Sequence, residues 1–277
     1  MARSEMLQIG VIGAGAMAQS FVRGAVGSGF VSPSAIRVNN RQNEQHLEAF
    51  RAIGVCAQRD KAVLCRDARV ILLAVKPKDA EQALAELRPH VGPEHLVVSL
   101  MAGIPLRFIE SRLGGAVRVV RAMANTSSAV RESATAVAGG SRASARDIQQ
   151  AVALLSALGP VLIVDEESLD AVTALAGSGP AYVYLLLESL IQAGSHVGLS
   201  DDVARQLALQ TVYGAARMLV ETQSRPEELR RRVTSPGGTT EAALQILEAA
   251  GFRDALVQAI SRAKERSMEL GIPFRKE

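Results

Sequence analysis

The sequence has few aromatic residues, and this scarcity excludes several classes of protein. Its 277 residues include six Phe, three Tyr and no Trp, although 48% of the chain is hydrophobic. Proteins that stack bases or sugars on aromatic platforms need more rings than this. So large an apolar fraction also excludes intrinsic disorder. We therefore expect a core packed mainly from Ala, Val, Leu and Ile.

Cysteine is equally scarce, and long apolar runs are missing. Cys56 and Cys65 offer neither a disulfide framework nor a metal-ligand spacing, and the four histidines are scattered. We expect no metal and a reducing, cytoplasmic setting. The first residues lack the pattern of a signal peptide. Apolar runs such as residues 70–75 are far shorter than the roughly 20 residues that span a bilayer, so we expect no membrane partner.

The balance of charge gives no sign of a nucleic-acid partner. The chain carries 31 basic and 28 acidic residues, and 26 of the basic ones are Arg spread along the sequence. The one dense run is Arg230-Arg231-Arg232, which is more typical of a solvated helix face than of a phosphate-binding patch.

The N-terminal part alternates β-branched runs with helical stretches. The predicted strands are residues 7–12, 36–39, 69–75, 96–100, 117–121, 134–138 and 161–164, and a helix over 16–28 follows the first. Such alternation indicates an α/β domain with a mostly parallel sheet and helices on both faces. We assign it to residues 1–165.

From about Asp165 to the end the pattern predicts helices alone, in a second domain of residues 166–277. Periodic apolar residues predict helices over 181–197, 201–221, 240–250 and 253–270, and Ser200 is a candidate cap of the second. Residues 181–190 are apolar nearly all round, so this helix must be buried. A domain this small could bury it best against a second copy, which predicts a homodimer.

A glycine motif stands between the first strand and the first helix. Gly13-Ala14-Gly15-Ala16-Met17-Ala18 has the pattern G-x-G-x-x-A, in which the glycines allow a tight turn and a close approach to a pyrophosphate. The helix N terminus then offers free N–H groups to the phosphates. The motif predicts a dinucleotide, and the alternative is a glycine turn that binds nothing.

The end of the second strand favours NADP(H) over NAD(H). Sites for NAD usually place an acid there for the ribose 2′-hydroxyl, whereas this chain has Asn39-Asn40-Arg41. We expect the two amides and the Arg41 guanidinium to meet a 2′-phosphate. The alternative is that Arg41 is an ordinary surface residue.

Three further loops are candidate ligand contacts. Residues 74–77 and 99–104 leave strands at their carboxyl ends, where ligands bind in open α/β sheets, although each could be a simple strand exit. Residues 233–240 form a glycine-rich loop between helices, whose N–H groups and hydroxyls suit a small carboxylate. The alternative there is an interhelical turn with a threonine cap.

Five of these segments together carry a family resemblance that extends from about residue 9 to residue 270. They are Ile9-Gly-Val-Ile-Gly-Ala-Gly-Ala-Met17, Ala74-Val-Lys-Pro77, Ser99 with Ala102-Gly103-Ile104, Asp170-Ala-Val-Thr-Ala-Leu-Ala-Gly-Ser-Gly-Pro-Ala-Tyr182, and Thr234–Thr240 with Ala243-Leu244. In them the sequence closely resembles the pyrroline-5-carboxylate reductase family. The resemblance implies NAD(P)H-dependent reduction of the cyclic imine 1-pyrroline-5-carboxylate to L-proline. With residues 39–41 it predicts NADPH as cofactor and NADH at lower efficiency.

The resemblance also implies an architecture and a set of site residues. It implies a Rossmann domain, a helical dimerisation domain and dimers that assemble further, up to a decamer. In the family the site forms where the Rossmann domain of one subunit meets helical segments of the dimer. Together with the glycine motif and the end of the second strand, the resemblance gives the predicted cofactor contacts Gly13, Gly15, Ala16, Met17, Asn39, Asn40, Arg41, Ala74, Val75, Lys76, Pro77, Ala102, Gly103 and Asn125. The implied contacts with the substrate carboxylate are Ser235, Pro236, Gly237, Gly238, Thr239 and Thr240.

One departure from the family motivates a rival interpretation. After Arg121 the family usually has Met-Pro-Asn-Thr-Pro, whereas this chain has Met123-Ala-Asn-Thr-Ser127. Loss of both prolines puts the rigidity of this loop in question and raises the alternative of a noncatalytic NADP-binding paralogue. A β-hydroxyacid dehydrogenase is a weaker alternative, because residues 181–198 lack the Lys and Asn expected in its interdomain helix.

The matched motifs contain no evident catalytic acid. A protonated imine is already electrophilic and becomes a neutral amine on gaining a hydride, so orientation of the reactants supplies most of the catalysis. We expect Thr240 to make a polar contact near the ring nitrogen, and the alternative is that it only caps its helix.

Overall fold

The computed structural model describes residues 8–40 and 44–275, and its N-terminal part is built on one eight-stranded sheet. The strands are β1 (Ile9–Ile12), β2 (Ile36–Asn39), β3 (Cys56–Ala57), β4 (Val70–Leu73), β5 (Leu96–Ser99), β6 (Arg118–Met123), β7 (Thr135–Gly139) and β8 (Val161–Ile163). Their order across the sheet is β3-β2-β1-β4-β5-β6-β7-β8. Neighbours run parallel except β6 and β7, which are antiparallel.

The α-helices divide into those of the sheet domain and those of the C-terminal part. The first group is α1 (Ala16–Gly27), α2 (Glu44–Arg51), α3 (Lys61–Asp67), α4 (Ala80–Leu87), α5 (Leu106–Leu113) and α6 (Ala145–Ser156). The second group is α7 (Leu169–Val172), α8 (Gly179–His196), α9 (Asp201–Thr222), α10 (Pro226–Arg232), α11 (Thr239–Ala249) and α12 (Phe252–Gly271). The predicted fold class, a Rossmann-type domain followed by helices, is confirmed.

Differences from the sequence-based prediction are small and local. All seven predicted strands are present, with ends shifted by at most two residues, but the two-residue strand β3 is too short to leave a periodic signal. Ser200 does stand before α9, yet its hydroxyl makes no capping hydrogen bond. A π-helical turn over Thr173–Gly177 was also not predicted.

The apolar run of β4 is explained by burial on both faces of the sheet. Val70 and Leu72 pack into the core cluster that includes α1 and α6, whereas Ile71 and Leu73 pack into the cluster that includes α4 and α5. A strand covered on both faces carries apolar side chains at every position rather than at alternate ones.

The two cysteines are free, and only one of them is accessible. Cys56 is exposed and Cys65 is buried. Burial raises the pKa of the Cys65 thiol to about 12, so Cys65 behaves as a small apolar core residue.

The chain forms two compact units. The first contains residues up to Ser178 together with those from Arg262 onward, and the second is Gly179–Ser261. The C-terminal end of α12 belongs to the first unit, whereas the sequence predicted two consecutive domains. The domain boundary between residues 165 and 166 stays a prediction.

The second unit has almost no core of its own. Of residues 179–261, all of which the structure describes, only Ala204 and Ala208 are buried. Large apolar side chains on its helices stay exposed, including Leu185 at 64% and Ile246 at 72%. Patches of this kind mark surfaces that are covered by a partner.

The helical run Glu166–His196 is longer than any uninterrupted apolar run in the sequence. It has 31 residues and a window of mean hydropathy 1.3, and 6% of that window is buried. By length and composition alone this helix could cross a membrane, although the uninterrupted apolar runs within it are short. A few polar residues divide the run in the sequence and hide its length.

The close approach of α1 to the turn Thr126–Val130 generates a stability prediction. A Cβ on Gly24 would lie 2.2 Å from the Ser128 carbonyl oxygen, whereas a Cβ on Gly27 would meet nothing within 4 Å. We expect Gly24→Ala to lower the free energy of unfolding by about 1–3 kcal/mol. The control Gly27→Ala should be neutral or raise it by up to about 1 kcal/mol. Chemical denaturation of both variants measures this, and equal midpoints would contradict the close packing.

Candidate functional site

The turn after β1 requires glycine at position 13 for two independent reasons. Gly13 has φ +108°, a conformation that L side chains rarely adopt. A Cβ there would also lie 2.5 Å from the Ala74 carbonyl oxygen at the end of β4. Its N–H donates to the Asn39 carbonyl oxygen at 2.9 Å, so this one residue joins the carboxyl ends of three neighbouring strands.

The start of α1 leaves free donors above this turn. Gly15 stands at the N-cap, and a Cβ on it would meet nothing within 4 Å. The helical hydrogen bonds begin with Gln19 N donating to Gly15 O at 3.0 Å, so the N–H groups of residues 16–18 precede them. The open space over Gly15 and these donors form a cradle suited to a phosphate group. Ala18, the third position of the motif, is fully buried.

A cavity of about 360 Å³ opens at this edge of the sheet. It brings together seven of the predicted cofactor residues, namely Gly13, Gly15, Asn39, Asn40, Ala74, Val75 and Lys76. Sequence reasoning missed the other lining residues, which are Ile12, Ala14, His46, Lys61, Lys78, Asp79, Ala83 and Glu86. Ile12 and Ala14 belong to the glycine motif itself, whereas the others come from elements that carry no recognisable motif and are identified only by the folded arrangement.

The buried Asn39 side chain has a different role from the one expected. Its Nδ2 donates to the carbonyl oxygens of Gln58 and Arg59, both at 2.8 Å. Both amide hydrogens are thereby used, so the amide holds the segment after β3 against β2 and does not offer the expected donor to a phosphate. Arg41 lies outside the described residues. The basic residues of the described cavity wall are His46, Lys61, Lys76 and Lys78, and Lys61 is paired with Glu86.

The other predicted cofactor residues that the structure describes do not line this cavity. Ala16 and Met17 form the first turn of α1, and Pro77 begins a short 3₁₀ turn. Gly103 has φ +72°, and a Cβ on it would lie 2.8 Å from the Ser267 carbonyl oxygen in α12. The C-terminal end of α12 therefore supports the loop of residues 102–103, a contact that no local sequence signal predicts.

The predicted carboxylate loop lies in the second compact unit. Gly237 has φ +71° and Gly238 is the N-cap of α11, so Thr240 is the second residue of the helix rather than its cap. The Gly237 N–H donates to the Glu241 carboxylate at 2.7 Å. The first bond of the helix runs from Ala242 N to Gly238 O, which leaves the N–H groups of residues 239–241 ahead of it. Thr240 is half-buried and Ser235 is exposed.

Comparison with known proteins identifies the family. Residues 166–270 match the model of pyrroline-5-carboxylate reductase dimerisation, and residues 8–103 match a model described as NADP oxidoreductase, coenzyme F420-dependent. The chain is 42% identical over 270 residues to pyrroline-5-carboxylate reductase 2 of Bacillus subtilis, covering 97% of each protein. This chain belongs to the pyrroline-5-carboxylate reductase family.

Solved reductases have the same fold along nearly their whole length. The pyrroline-5-carboxylate reductase of Coxiella burnetii is 38% identical, with a TM-score of 0.87 over 96% of this chain and 99% of that one. The Plasmodium falciparum enzyme, solved with NADP bound, is 26% identical. Its TM-score is 0.87 over 96% of this chain and 99% of that one.

The structure explains how the chain manages without the second of the two prolines usual in pyrroline-5-carboxylate reductases, the one that Ser127 replaces. Asn125 Oδ1 accepts from the Ser127 N–H at 2.9 Å, a hydrogen bond that a proline at this position could not make. Asn125 Nδ2 donates to the Ala176 carbonyl oxygen at 3.0 Å in the π-helical turn. The loop after β6 is therefore braced by hydrogen bonds from one buried amide. Because these hydrogen bonds hold the loop, a missing proline gives no reason to expect a disordered loop.

Proposed function

We propose that this protein reduces 1-pyrroline-5-carboxylate to L-proline with NADPH, and that NADH serves at lower efficiency. The glycine turn with its open cradle at the carboxyl edge of the sheet is the observation that carries the proposal. Membership of the pyrroline-5-carboxylate reductase family supports the reaction, and the NADP-bound relative supports the cofactor. Nothing in the chain favours a noncatalytic paralogue or a β-hydroxyacid dehydrogenase.

The residues around the cradle fit a dinucleotide. When bound there, NADPH supplies a hydride to the imine carbon. The N–H groups at the start of α1 receive the phosphates, and the first two residues of the helix, Ala16 and Met17, lie against them. We assign residues 75–77 and 102–103 to the nicotinamide end, and Asn125 to holding the loop beside it.

The glycine-rich loop before α11 receives the substrate carboxylate. Free N–H groups at a helix start attract an anion because the helix dipole is positive there. Ser235, Pro236, Gly237, Gly238 and Thr239 shape this receptor, and the Thr240 hydroxyl contacts the ring nitrogen. These residues fix the imine in one orientation, which in well-oriented reactions lowers the barrier by up to ~7–11 kcal/mol. In this proposal residues 1–165 hold the cofactor, and residues 166–277 supply dimerisation and substrate contacts.

One assay separates the proposed function from its alternatives. Purified protein is mixed with NADPH and either 1-pyrroline-5-carboxylate or small β-keto acids, and oxidation is followed by absorbance. We expect oxidation with the imine alone and formation of L-proline. Oxidation only with the keto acids would indicate the dehydrogenase. Measurable NADPH binding without turnover of either substrate class would indicate the noncatalytic protein.

Arg41 should determine the choice between NADPH and NADH. We expect Arg41→Ala to lower the ratio of NADPH to NADH kcat/KM about ten- to a hundredfold, because a charge-assisted contact with the 2′-phosphate is lost. The matched variant Asn39→Ala should lower thermal stability but leave the ratio near that of the wild type, since its amide already bonds two carbonyl groups. An unchanged ratio in Arg41→Ala would remove Arg41 from the cofactor site.

The Thr240 hydroxyl should be needed for turnover. We expect Thr240→Val to lower kcat about tenfold, as the loss of one polar contact implies. The conservative variant Thr240→Ser keeps a hydroxyl and should retain most of the activity. Wild-type turnover in Thr240→Val would show that the residue only forms part of its helix.

We also propose an assembly of dimers in the cytoplasm. The exposed apolar helices of residues 179–261 need a covering surface, and a second copy supplies one of the same character. We propose that such dimers associate further into a decamer. Sedimentation velocity at micromolar concentration should show a species of at least two chains, whereas a monomer would contradict the proposal. A cytoplasmic location agrees with two free cysteines.

A further inference from the structure

A close main-chain contact joins the loop after β5 to the C-terminal end of α12. A Cβ on Gly103 would lie 2.8 Å from the Ser267 carbonyl oxygen, and a Cβ on Gly271 would lie 2.4 Å from the Gly103 carbonyl oxygen. The two backbones therefore pack directly on each other, with no side chain between them. Because such packing leaves no slack, a displacement of this end of α12 must also displace residues 102–103.

Asp170 in α7 fixes the end of α12 at two points. Its Oδ1 accepts from Ser267 Oγ at 2.7 Å, and its Oδ2 accepts from Arg275 Nη2 at 2.8 Å. Asp170 and Ser267 are both buried, and hydrogen bonds to a carboxylate are stronger than those between neutral groups. Ser267 thus binds Asp170 through its hydroxyl, while its carbonyl oxygen lies against Gly103.

Arg121 in β6 pairs with Asp170 and with a second acid that holds the same loop. The buried guanidinium lies 3.7 Å from Asp170 Oδ1, measured from Nη2, and its Nη1 donates to Glu166 Oε1 at 3.2 Å. Glu166 Oε1 also accepts from the Leu106 N–H at 2.6 Å, at the start of α5. The loop of residues 100–105 is therefore supported at Gly103 through Asp170 and at its end through Glu166.

These supporting side chains reach the proposed cofactor site only through the loop. Residues 102–103 follow β5 at the carboxyl edge of the sheet, and the proposed function assigns them to the nicotinamide end. Asp170 and Ser267 lie outside the described wall of the cofactor cavity. A change in either side chain can thus act on the nicotinamide end by moving the loop.

We propose that Asp170 and Ser267 are positioning residues that hold the loop of residues 102–103 in the place that the nicotinamide requires. The inference rests on the proposed function for the location of the nicotinamide. A displacement of about 1 Å in the reacting groups can lower a rate about a hundredfold. Loosening the end of α12 therefore disturbs the nicotinamide end and leaves the adenosine end of the cofactor site intact.

Binding of two ligands to the full-length protein tests this positioning without turnover. NADPH extends to the nicotinamide, whereas 2′,5′-ADP carries only the adenosine with its 2′- and 5′-phosphates. We expect Ser267→Ala to raise the Kd for NADPH about two- to tenfold, the effect of losing one buried hydrogen bond, and to leave the Kd for 2′,5′-ADP unchanged. The fluorescence of bound NADPH, which depends on the surroundings of the nicotinamide, should change as well.

The ratio of the two Kd values decides the outcome. An equal ratio in Ser267→Ala and in a wild type that binds NADPH would overturn this inference alone. A wild type that binds neither ligand would overturn the proposed function and this inference together.

Ser144→Ala is the matched control. Ser144 Oγ donates to Asp147 Oδ2 at 2.6 Å at the start of α6, so each variant removes a serine hydroxyl from an aspartate. Loss of this helix cap should lower the thermal stability and leave the ratio of the two Kd values unchanged. An equal change of the ratio in Ser144→Ala would show that the ratio follows general stability, and would overturn the proposal.

Steady-state kinetics gives a second measurement. Asp170→Asn removes the charge that faces Arg121 and Arg275, and we expect it to lower kcat about tenfold or more. The KM for 1-pyrroline-5-carboxylate should stay within about twofold, because the loop before α11 is untouched. Ser267→Ala should show a smaller loss of kcat with the same unchanged KM, and it decides the outcome where Asp170→Asn does not fold. A wild-type kcat in Ser267→Ala, or a rise in KM alone, would contradict the positioning role.

Discussion

The contact between Gly13 and the main chain of Ala74 is the constraint on which the cofactor cavity depends. With a Cβ excluded at 2.5 Å from a carbonyl oxygen and φ at +108°, no other residue allows β1 to turn into α1 at this place. The hydrogen bond from Gly13 N to Asn39 O then sets the end of β2 beside the same turn. The ends of three strands and the start of one helix are thereby fixed together. The phosphate cradle is a consequence of that packing rather than of flexible loop residues.

Around this centre, buried amides brace loops that carry ligand contacts. Asn39 bonds two carbonyl groups beyond β3, and Asn125 ties the loop after β6 to the π-helical turn. In each case the side chain is hydrogen-bonded to the main chain of another segment or loop, so these residues position their neighbours. The replacement of the second family proline by Ser127 fits the same scheme, because the serine N–H supplies a hydrogen bond that a proline lacks.

The helical unit, Gly179–Ser261, has no comparable buried centre. Its 83 residues include two buried ones, although apolar side chains run along every long helix. A chain segment that buries so little apolar surface gains little of the stabilisation that offsets its conformational entropy. Its stability must therefore come from surfaces outside it, and the match of residues 166–270 to a dimerisation family agrees with this requirement.

The sequence by itself determined seven of the eight strands, the first helix, the four longest helices of the C-terminal part and the position of the glycine turn. These features depend on short-range rules, namely the periodicity of apolar residues and the backbone freedom of glycine, which act within a few residues of one another. The family motifs indicated the reaction and the candidate site residues. Element ends shifted by one or two residues because hydrogen bonding to neighbouring strands sets them.

Only the tertiary structure decided what individual side chains do. The sequence placed Asn39 at a phosphate, but carbonyl groups about 20 residues away occupy its donors. It gave no sign that the end of α12, some 165 residues beyond Gly103, supports that loop, nor that Arg121 would be buried beside Glu166 and Asp170. Each of these depends on groups brought together by long-range packing. Partners so distant in sequence leave no periodic or local pattern from which they could be predicted.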